Sequence, residues 1–356
     1  MSSLVDLGWT TFFQEQIDDE RAELQIARVV QEQRGLCGVA GEFDGWAEIS
    51  GRFRHEAGRA ADFPAVGDWV GVVAPPGAAR AVIHRRFERR STLSRKAAGR
   101  AADEQVVAAN VDTVFLVSAL TQDVNPNRME RYLTMVWEGG AVPVVLLNKA
   151  DLWEEPSATA DAIRTRLSFV DVLVVSAKTA EGLESLAPYL KLHHTVALLG
   201  SSGAGKSTLI NRLLGRDLLN VSAVRDSDGK GRHTTTSRQL IEMPGGALLI
   251  DTPGMRELQP WADESAVDRT FEDVAGIARD CRFADCSHGS EPGCAVLEAV
   301  AAGTLDQARL EHYRRLLREA AFEERKRDKG AAAEQKRQWK QIHQAQKELY
   351  RRREES

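Results

Sequence analysis

Short apolar segments separated by polar residues dominate the middle of the chain. From about residue 105 they recur as VDTVFLVSAL, AVPVVLLNKAD, VDVLVVSAK, HTVALLG and GGALLIDTPG, and each ends in polar residues or glycine. Helical patterns lie between several of them, for example over residues 128–138 and 207–214. Because strands buried on both faces read as continuous apolar runs, this alternation predicts a parallel sheet covered by helices. Ligands of such sheets bind at the carboxyl ends of the strands.

Different patterns flank this region on both sides. Within residues 24–92, the segments LQIARVV, GWAEISGRF, GDWVGVV and ARAVIHRRF are rich in β-forming residues and are separated by Gly and Pro turns, which predicts a small β-barrel. After about residue 270 a cysteine cluster and then a polar helical tail follow. We expect an N-terminal extension (1–23), an OB-like β-barrel (24–98), an α/β domain (99–270), and a helical domain with the cysteine cluster (271–356).

Composition restricts the class of protein. The 356 residues are 43% hydrophobic and 28% charged, with a formal net charge of −5, so any basic surface for nucleic acid must be local. The N-terminus lacks the pattern of a signal peptide, and no stretch approaches the length of a membrane span. Three of the four cysteines lie close together and the fourth is isolated, which argues against a disulfide framework. We expect a cytoplasmic monomer without membrane association.

A phosphate-binding loop follows the apolar segment TVALL. GSSGAGKS matches G-x-x-x-x-G-K-[ST] and precedes the amphipathic segment STLINRLLG, which is the strand–loop–helix context of this motif. Glycines let backbone N–H groups surround phosphates, and the helix N-terminus adds a positive dipole. Lys206 is expected to reach the β- and γ-phosphates, and Ser207 to ligate Mg²⁺. The predicted contacts are Gly200, Ser201, Ser202, Gly203, Ala204, Gly205, Lys206, Ser207 and Thr208.

Three further motifs end other apolar segments. DTPG at residues 251–254 predicts that Asp251 holds Mg²⁺ and that the Gly254 N–H approaches the γ-phosphate. NKAD places Asn148, Lys149 and Asp151 together, and a carboxylate at Asp151 accepts from N1–H and the 2-amino group of guanine. SAK is expected to contribute Ser176, Ala177 and Lys178, with a backbone N–H near Ala177 donating to guanine O6. Together the four motifs predict a GTPase domain.

The order of these motifs is unusual. An ordinary GTPase has the phosphate loop, DTPG, NKAD and SAK in that order, whereas this chain has NKAD, SAK, the phosphate loop and DTPG. An ordinary GTPase behind a long extension would need a second base-recognition motif after residue 254, and the sequence contains none. The order therefore predicts a circularly permuted α/β P-loop GTPase domain, cut at surface connections that tolerate new ends.

This order and its flanking segments resemble the ribosome-small-subunit-dependent GTPase A family (RsgA, also called YjeQ) over nearly the whole chain. The resemblance implies binding to the small (30S) ribosomal subunit and its 16S rRNA, near the decoding region. It also implies hydrolysis of GTP to GDP and phosphate during late subunit maturation, stimulated by the subunit, in the role of a checkpoint and assembly factor. The cofactors implied are GTP or GDP, Mg²⁺ and one structural Zn²⁺.

Between the phosphate loop and DTPG, the segment KGRHTTTSRQL occupies the position of switch I. A Thr hydroxyl there can complete the Mg²⁺ shell, and of Thr234 and Thr235 the resemblance favours Thr235. The position after DTPG, where many GTPases carry a Gln that orients water, is Met255. His233 is the candidate to position water, with an exposed loop histidine of no catalytic role as the alternative. The predicted catalytic residues are thus His233, Lys206 and Thr235.

The segment CRFADCSHGSEPGC contains Cys281, Cys286, His288 and Cys294. Three thiolates and one imidazole at this spacing can close a tetrahedral structural zinc site without an open position. The alternative is a chance grouping of small residues and a surface histidine. Cys37 lies in an apolar β segment and is expected to pack in a core.

Two basic segments are candidates for RNA contact. One is the run at the barrel exit, comprising Arg85, Arg86, Arg89, Arg90, Arg95, Lys96 and Arg100. The other is the tail from residue 312, with 14 Lys and Arg against 8 Asp and Glu, although such mixed charge is also typical of a solvated helix. Two other functions stay open: a GTP-dependent metal-handling protein, and a nucleotide-sensing RNA-binding protein with little turnover.

Overall fold

The computed structural model describes residues 3–17, 24–33, 35–74, 78–96, 104–120, 124–167, 169–216, 238–251 and 264–322. These residues form two compact units, one within residues 3–251 and the other over residues 264–322. Across the described ranges, no helix is both long enough and apolar enough to cross a membrane.

A closed five-stranded barrel forms the first part of the larger unit. Its strands are β1 (Gln25–Gln33), β2 (Leu36–Gly41), β3 (Gly45–Ile49), β4 (Trp69–Val73) and β5 (Arg80–Arg86). β1 pairs with both β2 and β4, while β3 pairs with β2 and β5, and β5 pairs with β4, so the ring of strands is complete. Alternate apolar side chains of these strands fill the interior, Cys37 among them. The small OB-like barrel is confirmed.

Residues 3–17 pack against the outer face of this barrel. They contain a turn and the short helix α1 (Thr11–Gln14), and their aromatic side chains join a cluster with Trp69 and Phe87 of the barrel. The ring centroid of Trp9 lies 4.8 Å from that of Trp69 and 5.3 Å from that of Phe87, both edge-on. Phe13 is fully buried in the same cluster. Part of the predicted extension therefore packs on the barrel in a second apolar cluster, separate from the barrel interior.

A two-stranded hairpin leads from the barrel into the α/β sheet. After α2 (Gly51–Glu56), which lies between β3 and β4, the strands β6 (Thr92–Lys96) and β7 (Glu104–Ala109) pair antiparallel. The hairpin spans the predicted boundary between residues 98 and 99. The predicted boundary therefore divides this hairpin, with β6 in the predicted barrel domain and β7 in the predicted α/β domain.

The α/β sheet contains β8 (Thr113–Ala119), β9 (Val142–Asn148), β10 (Asp171–Val174), β11 (Thr195–Leu199), β12 (Gln239–Glu242) and β13 (Leu248–Asp251). The order is β10-β9-β8-β11-β13-β12, and all these neighbours are parallel except β12 with β13. Late in the chain, β11 returns to the centre between β8 and β13. This switch point is where α/β sheets bind ligands.

Helices cover both faces of the sheet. The helices are α3 (Pro126–Glu138), α4 (Pro156–Arg166) and α5 (Lys206–Leu214). Apolar residues of α3 and α4 pack in one core, and those of α5 pack in a second core with the other side chains of the same strands. The helix-covered parallel sheet expected from the apolar segments is confirmed.

The smaller unit is helical. Its elements are α6 (Glu264–Thr270), α7 (Glu272–Ala278), α8 (Ala295–Ala301) and a further helix over residues 307–322. Their apolar faces meet in one core around Phe271, Leu310 and Tyr313. The cysteine cluster occupies the connection between α7 and α8.

Candidate nucleotide and metal sites

The phosphate loop lies between the end of β11 and the start of α5. Gly200, Gly203 and Gly205 have φ angles of +148°, +78° and +92°, which favour glycine. A Cβ atom on Gly200 would meet the Val117 carbonyl oxygen at 2.1 Å. Since α5 begins at Lys206, the first N–H groups of this helix have no intrahelical acceptor and are available to phosphate oxygens.

Lys206 and Asp251 bring opposite charges to this loop. The Lys206 Nζ donates to the carbonyl oxygens of Gly200 and Ser201, at 2.7 and 2.8 Å. Asp251 ends the neighbouring strand β13, where burial raises its pKa while the charge of Lys206 acts in the opposite direction. A half-buried carboxylate beside a phosphate loop is a suitable ligand for Mg²⁺. Ser207, the other predicted ligand in the described residues, is exposed on the first turn of α5.

Asn148 connects the phosphate loop with the base-recognition segments. Its side chain is buried, and its Nδ2 donates to the Ala204 carbonyl oxygen at 2.8 Å. Its Oδ1 accepts from the Ala177 N–H at 2.9 Å. A Cβ atom on Gly205 would lie 2.3 Å from the Asn148 Nδ2, so the glycine is required for this approach. One amide side chain thereby fixes the relative positions of two loops far apart in sequence.

Asp151 lies in a short 3-10 turn after β9 and is held by the SAK segment. The buried Ser176 Oγ donates to Asp151 Oδ1 at 2.6 Å, which leaves Oδ2 for a further donor. Lys149, immediately before this turn, adopts a left-handed conformation with φ of +68°. The structure thus brings together the NKAD, SAK and phosphate-loop segments at the carboxyl edge of the sheet, an arrangement with donors and acceptors for a guanine base.

Arg212 makes polar contacts in this region, although it belongs to none of the predicted motifs. It lies on α5, and its guanidinium donates from Nε to the Ala177 carbonyl oxygen at 3.2 Å and from Nη2 to the Lys178 carbonyl oxygen at 2.6 Å. No spacing rule could identify this residue, because the contact depends on how α5 packs beside the SAK segment.

Several predicted residues lie outside the described ranges. They include the catalytic candidates His233 and Thr235, the nucleotide contact Gly254, and Arg100 of the barrel-exit run. The basic tail beyond residue 322 also lies outside them.

The four predicted zinc ligands come together in the helical unit. Their ligand atoms all lie within 4.8 Å of one another. Cys281 Sγ is 3.8 Å from Cys294 Sγ, and His288 Nδ1 is 3.6 Å from Cys281 Sγ and 3.5 Å from Cys294 Sγ. In a tetrahedral site with Zn–S of about 2.3 Å and Zn–N of about 2.0 Å, adjacent ligand atoms are separated by about 3.5–3.8 Å. The three distances among Cys281, His288 and Cys294 fit that geometry, and Cys286 Sγ lies within 4.8 Å of these atoms.

The charge state of His288 also suits a metal ligand. Burial and the positive charge of Arg314 lower the pKa of the imidazole, although Glu291 and Asp268 act in the opposite direction. A lowered pKa favours the neutral imidazole, which is the form that binds metal. Cys37, by contrast, lies in the barrel core, where burial raises the pKa of its thiol to about 12.

Three arginines of the barrel-exit basic run have partners within the protein. Arg89, with only 8% of its side chain exposed, forms an ion pair with the fully buried Asp68 at 2.6 Å. Arg86 donates to the Asp62 and Phe87 carbonyl oxygens, and Arg90 forms an ion pair with Asp112. The hypothesis of phosphate contact is wrong for Arg89. The guanidinium groups of Arg86 and Arg90 also have internal partners.

Fold and site together define a circularly permuted P-loop GTPase with an N-terminal barrel and a cysteine-rich helical unit. The RsgA GTPase family model matches residues 86–261. The small ribosomal subunit biogenesis GTPase RsgA of Opitutus terrae is 46% identical over 358 residues, covering 97% of each chain. RsgA 2 of Lactiplantibacillus plantarum is 44% identical over 324 residues, covering 90% of each chain. The chain therefore belongs to the RsgA GTPase family.

Solved structures agree with this assignment. YjeQ from Thermotoga maritima is 26% identical with a TM-score of 0.63, and the match covers 83% of this chain and 98% of that one. YloQ, described as a circularly permuted GTPase, is 25% identical with a TM-score of 0.59, and the match covers 86% of this chain and 98% of that one. Both matches extend beyond the GTPase sheet, because they include most of each chain.

Proposed function

We propose that this protein is a GTPase that binds the small ribosomal subunit and hydrolyses GTP to GDP and phosphate during late subunit maturation. The observation that carries the proposal is the Asn148 side chain, which joins the phosphate loop to the SAK segment beside Asp151. A site so arranged can recognise phosphates and guanine together. The proposed partner, the small ribosomal subunit, is based on the relatives, which are named as small ribosomal subunit biogenesis GTPases.

At the nucleotide, each chemical role has a candidate residue. Lys206, at the start of α5, would move from the loop carbonyl oxygens to the β- and γ-phosphates and stabilise their charge. Asp151 would accept from the guanine N1–H and 2-amino groups, and Ser176 holds it in position. His233 would orient the attacking water in place of the Gln that Met255 replaces.

The metal ions would have separate roles. Ser207, Thr235 and Asp251 are the proposed ligands of Mg²⁺, which neutralises phosphate charge when GTP is bound. Cys281, Cys286, His288 and Cys294 are the proposed ligands of one Zn²⁺, whose bonds would stabilise the helical unit. A closed ligand set of this kind suits a structural ion rather than one that is transferred.

We propose that the protein acts as a monomer in the cytoplasm, where it would contact 16S rRNA. In the proposed organisation, the chain consists of the segments 1–23, 24–98, 99–270 and 271–356. The apolar cluster that residues 3–17 form with the barrel and the β6–β7 hairpin argue that the first three segments fold together.

Measurement of GTP hydrolysis with and without purified small ribosomal subunits tests this proposal. We expect slow hydrolysis by the protein alone and a large increase on addition of 30S subunits, with no increase on addition of 50S subunits. Hydrolysis unaffected by 30S subunits would refute the proposed partner. Binding of GTP without turnover under both conditions would instead support a nucleotide sensor, and GTP-dependent release of zinc would support a metal-handling protein.

A further inference from the structure

Arg212 and Asn148 contact different backbone atoms of the SAK segment. Its Nε and Nη2 donate to two successive carbonyl oxygens, those of Ala177 and Lys178. Asn148 Oδ1 accepts from the Ala177 N–H. The backbone of these two residues is therefore fixed at three polar atoms by side chains from two different elements, β9 and α5.

The planarity of the peptide bond gives this contact a directional consequence. The Ala177 carbonyl and the Lys178 N–H belong to the same peptide group, and in a trans peptide they point in opposite directions. When the guanidinium of Arg212 binds the carbonyl oxygen, it also fixes the direction of the N–H group. The bond to the next carbonyl oxygen, that of Lys178, restricts rotation on the other side of this peptide group.

The N–H group that Arg212 orients is available for a ligand. The sequence suggested a backbone N–H near Ala177 for guanine O6, and the N–H of Ala177 itself donates to Asn148 Oδ1 at 2.9 Å. Within the described part of the chain, the Lys178 N–H has no hydrogen-bond partner. A positive guanidinium on the carbonyl end also polarises the peptide group and strengthens its N–H as a donor.

We infer that Arg212 is a positioning residue for base recognition, which orients the Ala177–Lys178 peptide group so that the Lys178 N–H binds the 6-oxo group of guanine. The inference rests on the proposed function, since it assigns a role within the GTP site. An arginine suits this role because its planar fork can bind two carbonyl oxygens at once. The same helix carries Lys206, so base and phosphate contacts depend on one element.

Affinities for three nucleotides distinguish a role of Arg212 in base recognition from a general structural role. GTP and ITP both carry the 6-oxo group, whereas 2-aminopurine riboside triphosphate keeps the 2-amino group and has hydrogen at position 6. We would measure the affinity of each by competition with a fluorescent GDP analogue. For Arg212→Met we expect weaker binding of GTP and ITP by about three- to tenfold, since one lost hydrogen bond is exposed and the other is only part-buried. Binding of the 2-aminopurine nucleotide should not change.

Two further variants complete the test. Arg212→Lys retains a positive donor without the fork and should give an intermediate loss for GTP and ITP. Arg216→Met removes the same charge near the end of the same helix, where no hydrogen bond to the SAK segment occurs among the described residues, and should resemble the wild type. Thermal unfolding without nucleotide verifies that all variants are folded.

Several results would overturn the inference. An equal loss for all three nucleotides would place the effect of Arg212 at the phosphates or in the fold, and no loss for any would remove it from recognition. The same loss in Arg216→Met would indicate a general charge effect. If the wild-type protein bound ATP as tightly as GTP, the proposed function itself would fail, which is a different outcome from a change confined to the variants.

Discussion

Replacement of Asn148 by alanine tests the connection between the phosphate loop and the base-recognition segments. The substitution removes the donor to the Ala204 carbonyl oxygen and the acceptor of the Ala177 N–H. Both partners belong to buried residues, so no nearby water replaces the lost amide easily. The two loops are then no longer fixed relative to each other before the nucleotide arrives.

The expected magnitude follows from the two hydrogen bonds. A buried backbone group that loses its partner costs about 1–3 kcal/mol, and two such groups give a loss of about 2–6 kcal/mol. The nucleotide must restore the arrangement from its own binding free energy, so the loss is measured as weaker affinity. Since about 1.4 kcal/mol corresponds to a factor of ten, the Kd for GDP should rise by about 30- to 20,000-fold.

Equilibrium binding of a fluorescent GDP analogue to the wild type and to Asn148→Ala measures this change. Asn125→Ala is the matched control, because Asn125 caps α3 by accepting from the Arg128 N–H and, among the described residues, makes no hydrogen bond to the phosphate loop or to the NKAD and SAK segments. The control should lose about 1 kcal/mol of stability and keep its affinity for GDP. An affinity of Asn148→Ala within threefold of the wild type would refute the reasoning.

Three further predictions concern metal, stability and catalysis. Cys286→Ser should abolish the single bound zinc in elemental analysis, whereas Cys37→Ala should retain it, and retention by both would exclude the proposed ligand set. Arg89→Met should lower the free energy of unfolding in urea by about 3–5 kcal/mol, because Asp68 is left buried without its ion pair; a change below 1 kcal/mol would contradict this estimate. His233→Ala should lower 30S-stimulated turnover with GTP affinity within a few fold, and unchanged turnover would remove His233 from the mechanism.

The sequence predicted the GTPase sheet and the order of its motifs because both depend on local patterns. Each motif follows an apolar strand, and the carboxyl ends of parallel strands meet at one edge, so Asn148, Asp151 and Gly205 had to lie close together. The zinc ligands are also close in sequence, and the structure brings them together. Arg212 has no such signal, since its contact arises from the packing of a helix against a loop 34 residues earlier in the chain.

The sequence was less informative about arginines and about residues 3–17. A run of arginines is typical of nucleic-acid contact, but Arg89 shows that the same residue type can complete a buried network, where its donors reach Asp68 and two carbonyl oxygens. Likewise, nothing in the local pattern of residues 3–17 indicates that Phe13 is buried against the outer face of the barrel. Both outcomes depend on which surfaces face each other after folding, and local composition does not contain that information.

The connection between barrel and sheet bears on how the larger unit can move. Gln239 of β12 pairs with Asp251 of β13 on one side and with Gln31 of β1 on the other. Arg238, the residue before Gln239, forms an ion pair with Glu32 at 2.9 Å. Each pairing consists of hydrogen bonds that cost free energy to leave unmade. If these pairings are preserved, a displacement of Asp251 must therefore also move β1. The barrel and the GTPase sheet are thus connected by strand pairing and not by a linker alone.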